Sequence, residues 1–578
     1  MDTGPESFDE TERWCGTEPV PVDGPGCGET PQRLDPDECS SEPAQGSQYL
    51  SEPNLLGGAV ETRTTSEDVR TEDDELPGSE PESPPEKDRP NRWSQWGPIR
   101  RWQWYRANAN MNHDFMLRRD SMENAQGRLP PDESLSVPAV WIAELYTPST
   151  VAGLLDGIHQ LGWEHGRTRS DSLAKWMNDV RQGRSAGWTN LGLVSPTKTQ
   201  HFMSDRVAEL PDGVKAALPS LMSLTPSITA LTICFMLDDA SASAVNEPLR
   251  ADYQTYTLRD PLLRRRHVFG HVLWGRQIRI GRTIHSPDFQ RRDASAKVLD
   301  SIEARCERWL NDNLPGVFAA GLRGGRYPTA TLILSERSRP LTDEARSLRA
   351  FEGLGVHQSF DAWESNEWPG VRAVLPRSWR AEGLRIAFAG CRAEAFPPAP
   401  GYPEPDSNWM SAQRANDTVP GLVTRWALTC LLDGYHQMLS AQRDRSAQKV
   451  RNSPVKDLRR LRNLVRRDLY DLLLSASEIR SFAESGVSYR FNVLELQYIR
   501  TPAGQPTIAL LDQLANGQVS RARQVEDEAR LFLSTATAST DITQTISNIR
   551  IQRSIGFFTL ISIAVAAVAL IVAIAATK

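Results

Sequence analysis

The chain has 578 residues, 39% hydrophobic and 24% charged, with a formal net charge of −7. Its seven cysteines are scattered and no C-x-x-C pair occurs, which excludes a zinc ribbon and a thioredoxin-type redox site and suits a reducing cytosol. The charge is split. Residues 1–92 hold 24 acidic and 7 basic side chains (−17), whereas 93–578 hold 49 and 59 (+10).

Residues 1–92 form an acidic arm rich in Pro, Gly, Ser, Glu and Asp, as in ELPGSEPESPPEKDRP. Beyond Leu55 and Leu56 it has almost no apolar cluster, so it cannot bury enough surface to offset the entropy of ordering, and it reads as disordered. It would serve as a solvated spacer or as a recruiting element for a protein partner. Cys15, Cys27 and Cys39 are evenly spaced, but three thiols with no histidine nearby read as chance spacing rather than a metal site. Order is expected to begin at RWSQWGPIRRWQWYR. There Trp102 and Trp104 share one face at period two, which predicts a first strand in preference to a lipid-headgroup contact.

Residues 93–396 read as an α/β (or α+β) cytosolic domain, in which strand-like and helix-like segments alternate. VPAVWIAELYTP (137–148) predicts a strand. Thr147-Pro148 then predicts a helix cap and first-turn proline, with Val151, Leu154, Leu155, Ile158 and Leu161 as the helix stripe. SITALTICFML (227–237) is a nearly continuous apolar run rich in β-branched residues and predicts a buried central strand. Val298, Leu299, Ile302, Cys306 and Trp309 mark another helix, and TATLILSE (329–336) and LRIAFAG (384–390) two more strands.

A Pro-rich linker, 397–407, breaks this pattern, and 408–519 reads as a helical region. LVTRWALTCLLDGYHQML (422–439) has the character of a buried helix. After Ser453-Pro454 comes an amphipathic helix with Leu458, Leu461, Val465, Leu469 and Leu472 on one side and six Lys/Arg between 456 and 467 on the rest. It suits anionic lipid and equally a solvated face. Residues 520–554 read as a juxtamembrane stalk. Phe532, Thr535, Ser539, Ile542, Ile546 and Ile549 follow a coiled-coil spacing there.

From Ile555 to Ala576 the sequence is uncharged and long enough to cross a bilayer's hydrocarbon core, which predicts one C-terminal transmembrane helix. Arg550 and Arg553 precede it, and positive residues stay on the cytoplasmic side, so the N-terminal bulk is expected in the cytoplasm, anchored to the inner (plasma) membrane. Arginine's large excess over lysine reads as the codon usage of a GC-rich bacterium. Within the span, Thr559, Ser562, Ala566, Ala569, Ala573 and Ala576 make a small-residue stripe that suits a homo-oligomer formed through span and stalk.

Signals for catalysis are weak. His267 and His271 stand at i, i+4, but Val268 occupies the place of a zincin glutamate and the segment reads as a strand. His159 and His165 lie near Asp156 and Glu164 with nothing to complete a site. Asp238 and Asp239 close the 227–237 strand, where a parallel sheet would hold metal or nucleotide. GLRGG (321–325) precedes a strand and has no Lys-Ser/Thr, so it is not a P-loop. Arg264, Arg265, Arg266, Arg276, Arg279, Arg282, Arg291 and Arg292 form a basic cluster, yet nucleic acid is not the expected partner of a membrane-anchored chain.

No catalytic, cofactor-binding or metal residue is assigned, and no cofactor is expected. In layout the chain resembles the CorA-type magnesium channels, with a cytoplasmic α/β domain, long helices and a stalk entering the membrane. Those carry two spans and a Gly-Met-Asn motif, and this chain has one span and no such motif, so neither function nor residues carry over. The sequence thus predicts a membrane-anchored domain that senses a ligand or scaffolds a partner. The alternatives are a membrane-anchored enzyme, with Asp238, Asp239, His267 and His271 as first residues to examine, and a divergent channel subunit.

Overall fold

The computed structural model describes residues 97–164, 172–184, 187–197, 204–258, 283–341, 348–356, 361–375, 385–397, 407–452, 455–485, 494–499 and 507–576. The acidic arm with its three cysteines, His165, His267, His271, Arg264–Arg282 and most of the proline linker lie outside them.

The first described element is a helix, α1 (Pro98–Gly127), where a strand was expected. Pro98 occupies the first turn, where its missing N–H costs nothing, and a two-tryptophan alternation is too short to outweigh that start. β1 (Leu135–Tyr146) follows, with all twelve residues buried. α2 (Val151–Gln160) begins later than expected. Thr147-Pro148 instead makes the preceding turn, with Thr147 N–H donating to Thr150 Oγ1 at 2.9 Å and Thr150 N–H to Thr147 O at 3.0 Å.

Next come α3 (Leu173–Arg181), β2 (Trp188–Asn190), β3 (Leu193–Ser195), β4 (Ser204–Val207), β5 (Val214–Ser223) and β6 (Thr229–Leu237). After α4 (Asp239–Ser243) and α5 (Asn246–Arg250), β7 (Tyr256–Leu258) pairs with β8 (Thr283–His285). The long α6 (Pro287–Asn313) leads through a 3-10 turn at Leu322–Gly325 to β9 (Thr329–Ser335). α7 (Leu348–Gly353), β10 (Asp361–Glu364), β11 (Val371–Leu375), β12 (Arg385–Cys391) and the short α8 (Arg392–Ala395) complete this part.

The main sheet runs β13-β10-β11-β12-β9-β1-β6-β5-β3-β4, with β2 beside β5, where β13 is Gln497–Tyr498 near the C-terminal end. Only the β9/β12 and β3/β4 pairs are parallel among the described strands. β6 is antiparallel to both neighbours, so the parallel-sheet argument for Asp238 and Asp239 does not apply at its end. The β9/β12 pair does supply a parallel end, at Ser335 and Cys391.

Helices cover both faces, which is why the central strands read as continuous apolar runs instead of alternating ones. On one face lies α6: Trp309 meets Phe235 edge-on at 5.9 Å, and Thr331 donates to Glu303 at 3.2 Å. α9 (Asn408–Ala415) and α10 (Val419–Asn452) cover the other. There Trp141 Nε1 donates to Asn416 at 3.0 Å and the Thr232 and Thr424 hydroxyls meet at 3.1 Å. The apolar stretch from Leu422 to Leu439 is buried almost throughout, as expected.

α11 (Val455–Glu484) reaches back to the sheet through two carboxylates. Asp471 accepts from Thr147 Oγ1 at 2.9 Å, and Glu478 accepts from Ser227 N–H at 3.0 Å, from Ser227 Oγ at 2.8 Å and from Thr225 Oγ1. Glu478→Ala should cost about 1–3 kcal/mol, because it leaves three donors of one turn without their acceptor. Amide hydrogen exchange at Ser227 and Ile228 should accelerate; unchanged rates there would show that the turn holds itself.

α12 (Leu510–Ala576) is one helix of 67 residues, about 100 Å long. Leu510, Leu514, Gln518, Ala522, Val525 and Ala529 are buried against α10 and α11 at a spacing of three and four. Its Asn548–Ala576 segment is apolar and long enough to cross a membrane and is wholly exposed. Between these parts the Ser/Thr-rich stretch, a poor helix former, stays helical, and at its start hydroxyls turn back on the helix: Ser534 and Thr535 donate to Leu531 O at 2.9 and 2.8 Å and Thr537 to Leu533 O at 2.9 Å.

Candidate functional site

Ser335 and Cys391 end the parallel strands β9 and β12 side by side. Outside these carboxyl ends lies a cleft of about 550 Å³ lined by Asp239, Glu336, Arg392, Ala393, Ser407 and Asn408. This is the edge at which α/β sheets open crevices, because the strands stop there and the chain turns away on both sides. Four of the wall residues are each the first of a new element or turn. Glu336 follows β9, Arg392 follows β12, Asn408 opens α9 behind the Ser407 cap, and Asp239 opens α4.

Arg392 organises the wall, with its side chain only 8% exposed. Nε donates to Glu336 Oε1 at 2.9 Å and Nη1 to Ser411 Oγ at 3.1 Å; Nη2 donates to Ser136 Oγ and to Asn408 Oδ1, each at 2.7 Å. One guanidinium therefore joins β1, β9, β12 and α9, using the planar fork that distinguishes arginine from lysine. Asn408 Nδ2 passes the connection on to Asp239 Oδ1 at 3.0 Å. The turn that carries Glu336 is itself wound around a buried carboxylate, Glu133, which accepts from the backbone N–H of Glu336 at 2.9 Å and of Ser338 at 2.8 Å.

Arg392 is thus committed to structure. The groups with spare capacity are the Asp239 and Glu336 carboxylates, the first exposed and the second 44% exposed. Such a wall accepts hydrogen bonds from a cationic or hydroxyl-bearing ligand.

At the opposite end of β9, a second acid is buried. Glu144 of β1 accepts from Leu145 N–H at 2.8 Å, Phe318 N–H at 2.9 Å and Ala319 N–H at 3.0 Å. The Gly316 loop closes over it: a Cβ at Gly316 would sit 2.6 Å from the Glu144 side chain, so only glycine fits. Burial raises the Glu144 pKa to about 7 despite the opposing N–H donors. Glu307 is also raised to about 7, by burial and by Glu303. Burial, with the Glu144 and Glu307 charges, pushes the Tyr327 phenol up. Glu303 itself forms a two-point ion pair with Arg385, whose Nε and Nη2 donate to its two oxygens at 2.6 and 2.7 Å.

The residues singled out in the sequence fare unevenly. Asp239 lies on the cleft, whereas Asp238 caps α4 by accepting from Ser241 N–H at 2.7 Å. His159 pairs with Glu164 on the surface, and Asp156 is exposed on α2. Arg291 is buried against Asp288 at 2.9 Å, Asn124 at 2.9 Å and the Tyr253 ring, and Arg292 pairs with Glu352, so these two serve packing. GLRGG forms a 3-10 turn with Gly321, Gly324 and Gly325 left-handed and Leu322 packed on the core. Cys234, Cys306 and Cys430 are buried free thiols, and Cys391 joins them. Among the described residues no group of three or more His, Cys, Asp or Glu side chains is placed to hold a metal ion.

Sequence reasoning missed Arg392, Glu336 and Glu144. The available signal for Glu144 was an acid standing alone inside a twelve-residue apolar strand. Arg392 offered only its position directly after a strand end.

No protein-family model, curated protein or solved structure matches the chain. Its class rests on its own architecture, a mixed sheet between two helical layers, continued by a helical region into one C-terminal apolar helix.

Proposed function

We propose that this chain is a single-pass, C-terminally anchored protein of a bacterial inner membrane, with its bulk in the cytoplasm and a sheet domain that senses a ligand or scaffolds a partner. The observation that carries the proposal is the Asn548–Ala576 helix, apolar, wholly exposed and continuous with the bundle that packs on the domain. A helix of this kind left in water would expose far more contiguous apolar surface than soluble proteins tolerate. Arg550 and Arg553 at its start support the cytoplasmic orientation. The Asp239–Glu336–Arg392 cleft is where this reading seats a small polar ligand. It assigns recruitment of a protein partner to residues 1–92, and association between copies to the seam and small-residue stripe of α12.

Fractionation tests the anchor. Full-length protein should stay with the membrane pellet through alkaline carbonate, and a chain ending after Arg550 should move to the supernatant. If the shortened chain remains in the pellet, the apolar helix is not what holds the protein, and the proposal fails.

A further inference from the structure

The three long helices pair in a consistent register. Between α10 and α11, the Arg425 guanidinium lies 4.1 Å over the Phe482 ring and Tyr435 meets Ser475, so the two run antiparallel. Between α10 and α12, Gln518 donates to Arg425 O at 2.7 Å, Asp433 pairs with Arg521 at 3.1 Å and His436 with Glu528 at 2.9 Å, so these two run parallel. α11 is antiparallel to α12, with Arg480 on Glu526 at 3.0 Å and Glu484 on Arg523 at 2.9 Å. All three helices rise equally per residue, so the pairings can be carried along their axes. The end of α10 at Asn452 and the start of α11 at Val455 then fall level with roughly residues 540–552 of α12. That is where the candidate membrane segment begins.

The sequence at this hairpin tip is strongly cationic. Residues 443–467 contain ten Lys/Arg and two Asp, a net +8, and Arg550 and Arg553 stand at the same level on α12. Resting on the membrane-anchor reading above, we propose that the α10–α11 tip is a docking surface for anionic lipid headgroups of the same membrane that α12 enters. The tip and the span would then hold the sheet domain to the membrane at two points, which fixes its orientation. Clusters of this size beside a span are attracted to the negative surface of a cytoplasmic leaflet, and the attraction decays within about 10 Å at 0.1 M salt.

Hydrogen–deuterium exchange on the full-length protein in nanodiscs tests this, comparing discs of phosphatidylcholine alone with discs containing phosphatidylglycerol. Exchange of peptides covering 443–467 should slow about tenfold in the anionic discs. The slowing should vanish at 0.5 M salt and in the variant Arg459→Glu, Arg460→Glu, Arg462→Glu. The wild-type lipid and salt comparison stands even if that variant folds poorly. Incorporation into both discs with equal exchange overturns the docking surface and leaves the anchor intact. Failure to incorporate in either disc removes the anchor and the docking surface together. Protection by added RNA in neutral discs, with none from anionic lipid, overturns the proposal in favour of a nucleic-acid contact.

Discussion

Arg392→Ala should lower the stability of the sheet domain by about 2–4 kcal/mol, since it strips partners from several buried groups at once. The lost side chain bonds Glu336 after β9, Ser136 on β1, and Ser411 and Asn408 on α9. Glu336 is half exposed and can recover water, so its share of the loss is small. Ser136 and Ser411 are buried and cannot, and they account for most of the effect. Arg392→Lys keeps the charge but cannot reach four acceptors in one plane, so it should recover less than half of the loss. Unfolding followed by tryptophan fluorescence in urea measures both. A change below about 0.5 kcal/mol for the alanine variant would mean that the cleft wall holds without its guanidinium.

The legible parts of the fold were those where one local pattern decides. β1, β6, β9 and β12 announced themselves as largely apolar runs, α10 as a buried helix and the end of α12 as a span-length apolar stretch. α1 was misread because Trp102 and Trp104 offered two matches to a period of two, while the helix start at Pro98 was the stronger signal. Strand order was beyond reach. Nothing local in β6 says that both neighbours are antiparallel, or that β9 and β12 run parallel.

The cleft is harder still to see, because Ser136, Glu336, Arg392 and Asn408 meet only after the sheet and α9 are assembled. Asp239 came into view for a reason that did not hold, the edge of a parallel sheet at β6. It reaches the cleft through Asn408 instead. Glu144 illustrates the same limit from the other side. In a strand with one wet face it would have been an ordinary outward residue, and only the loop after α6, folded over it, makes it a core acid.

That burial has a consequence for stability against pH. The folded Glu144 carboxyl keeps its proton up to about pH 7, whereas its ordinary value is 4.5. Between these values the native state binds more protons than the unfolded chain, so the free energy of unfolding falls as pH rises. The contribution is fully present below about 4.5 and is lost as pH rises through about 7, a change on the order of 3 kcal/mol. Glu307 titrates over the same window in the same direction, with a smaller effect because it is only half buried.

The raw pH profile of the protein sums every titrating group. The difference between wild type and Glu144→Gln isolates the buried acid. The amide that replaces the carboxyl cannot ionise, and it keeps one acceptor oxygen for the Phe318 and Leu145 N–H groups. Denaturant titrations at pH 5 and pH 8 should therefore show the variant gaining on the wild type by about 2–3 kcal/mol at the higher pH. Parallel profiles at the two pH values would mean that the three backbone amides hold Glu144 ionised throughout, with the N–H donors outweighing desolvation. The two outcomes assign the Gly316 loop opposite roles: a clamp that loosens as pH rises, or a permanent cradle for a buried charge.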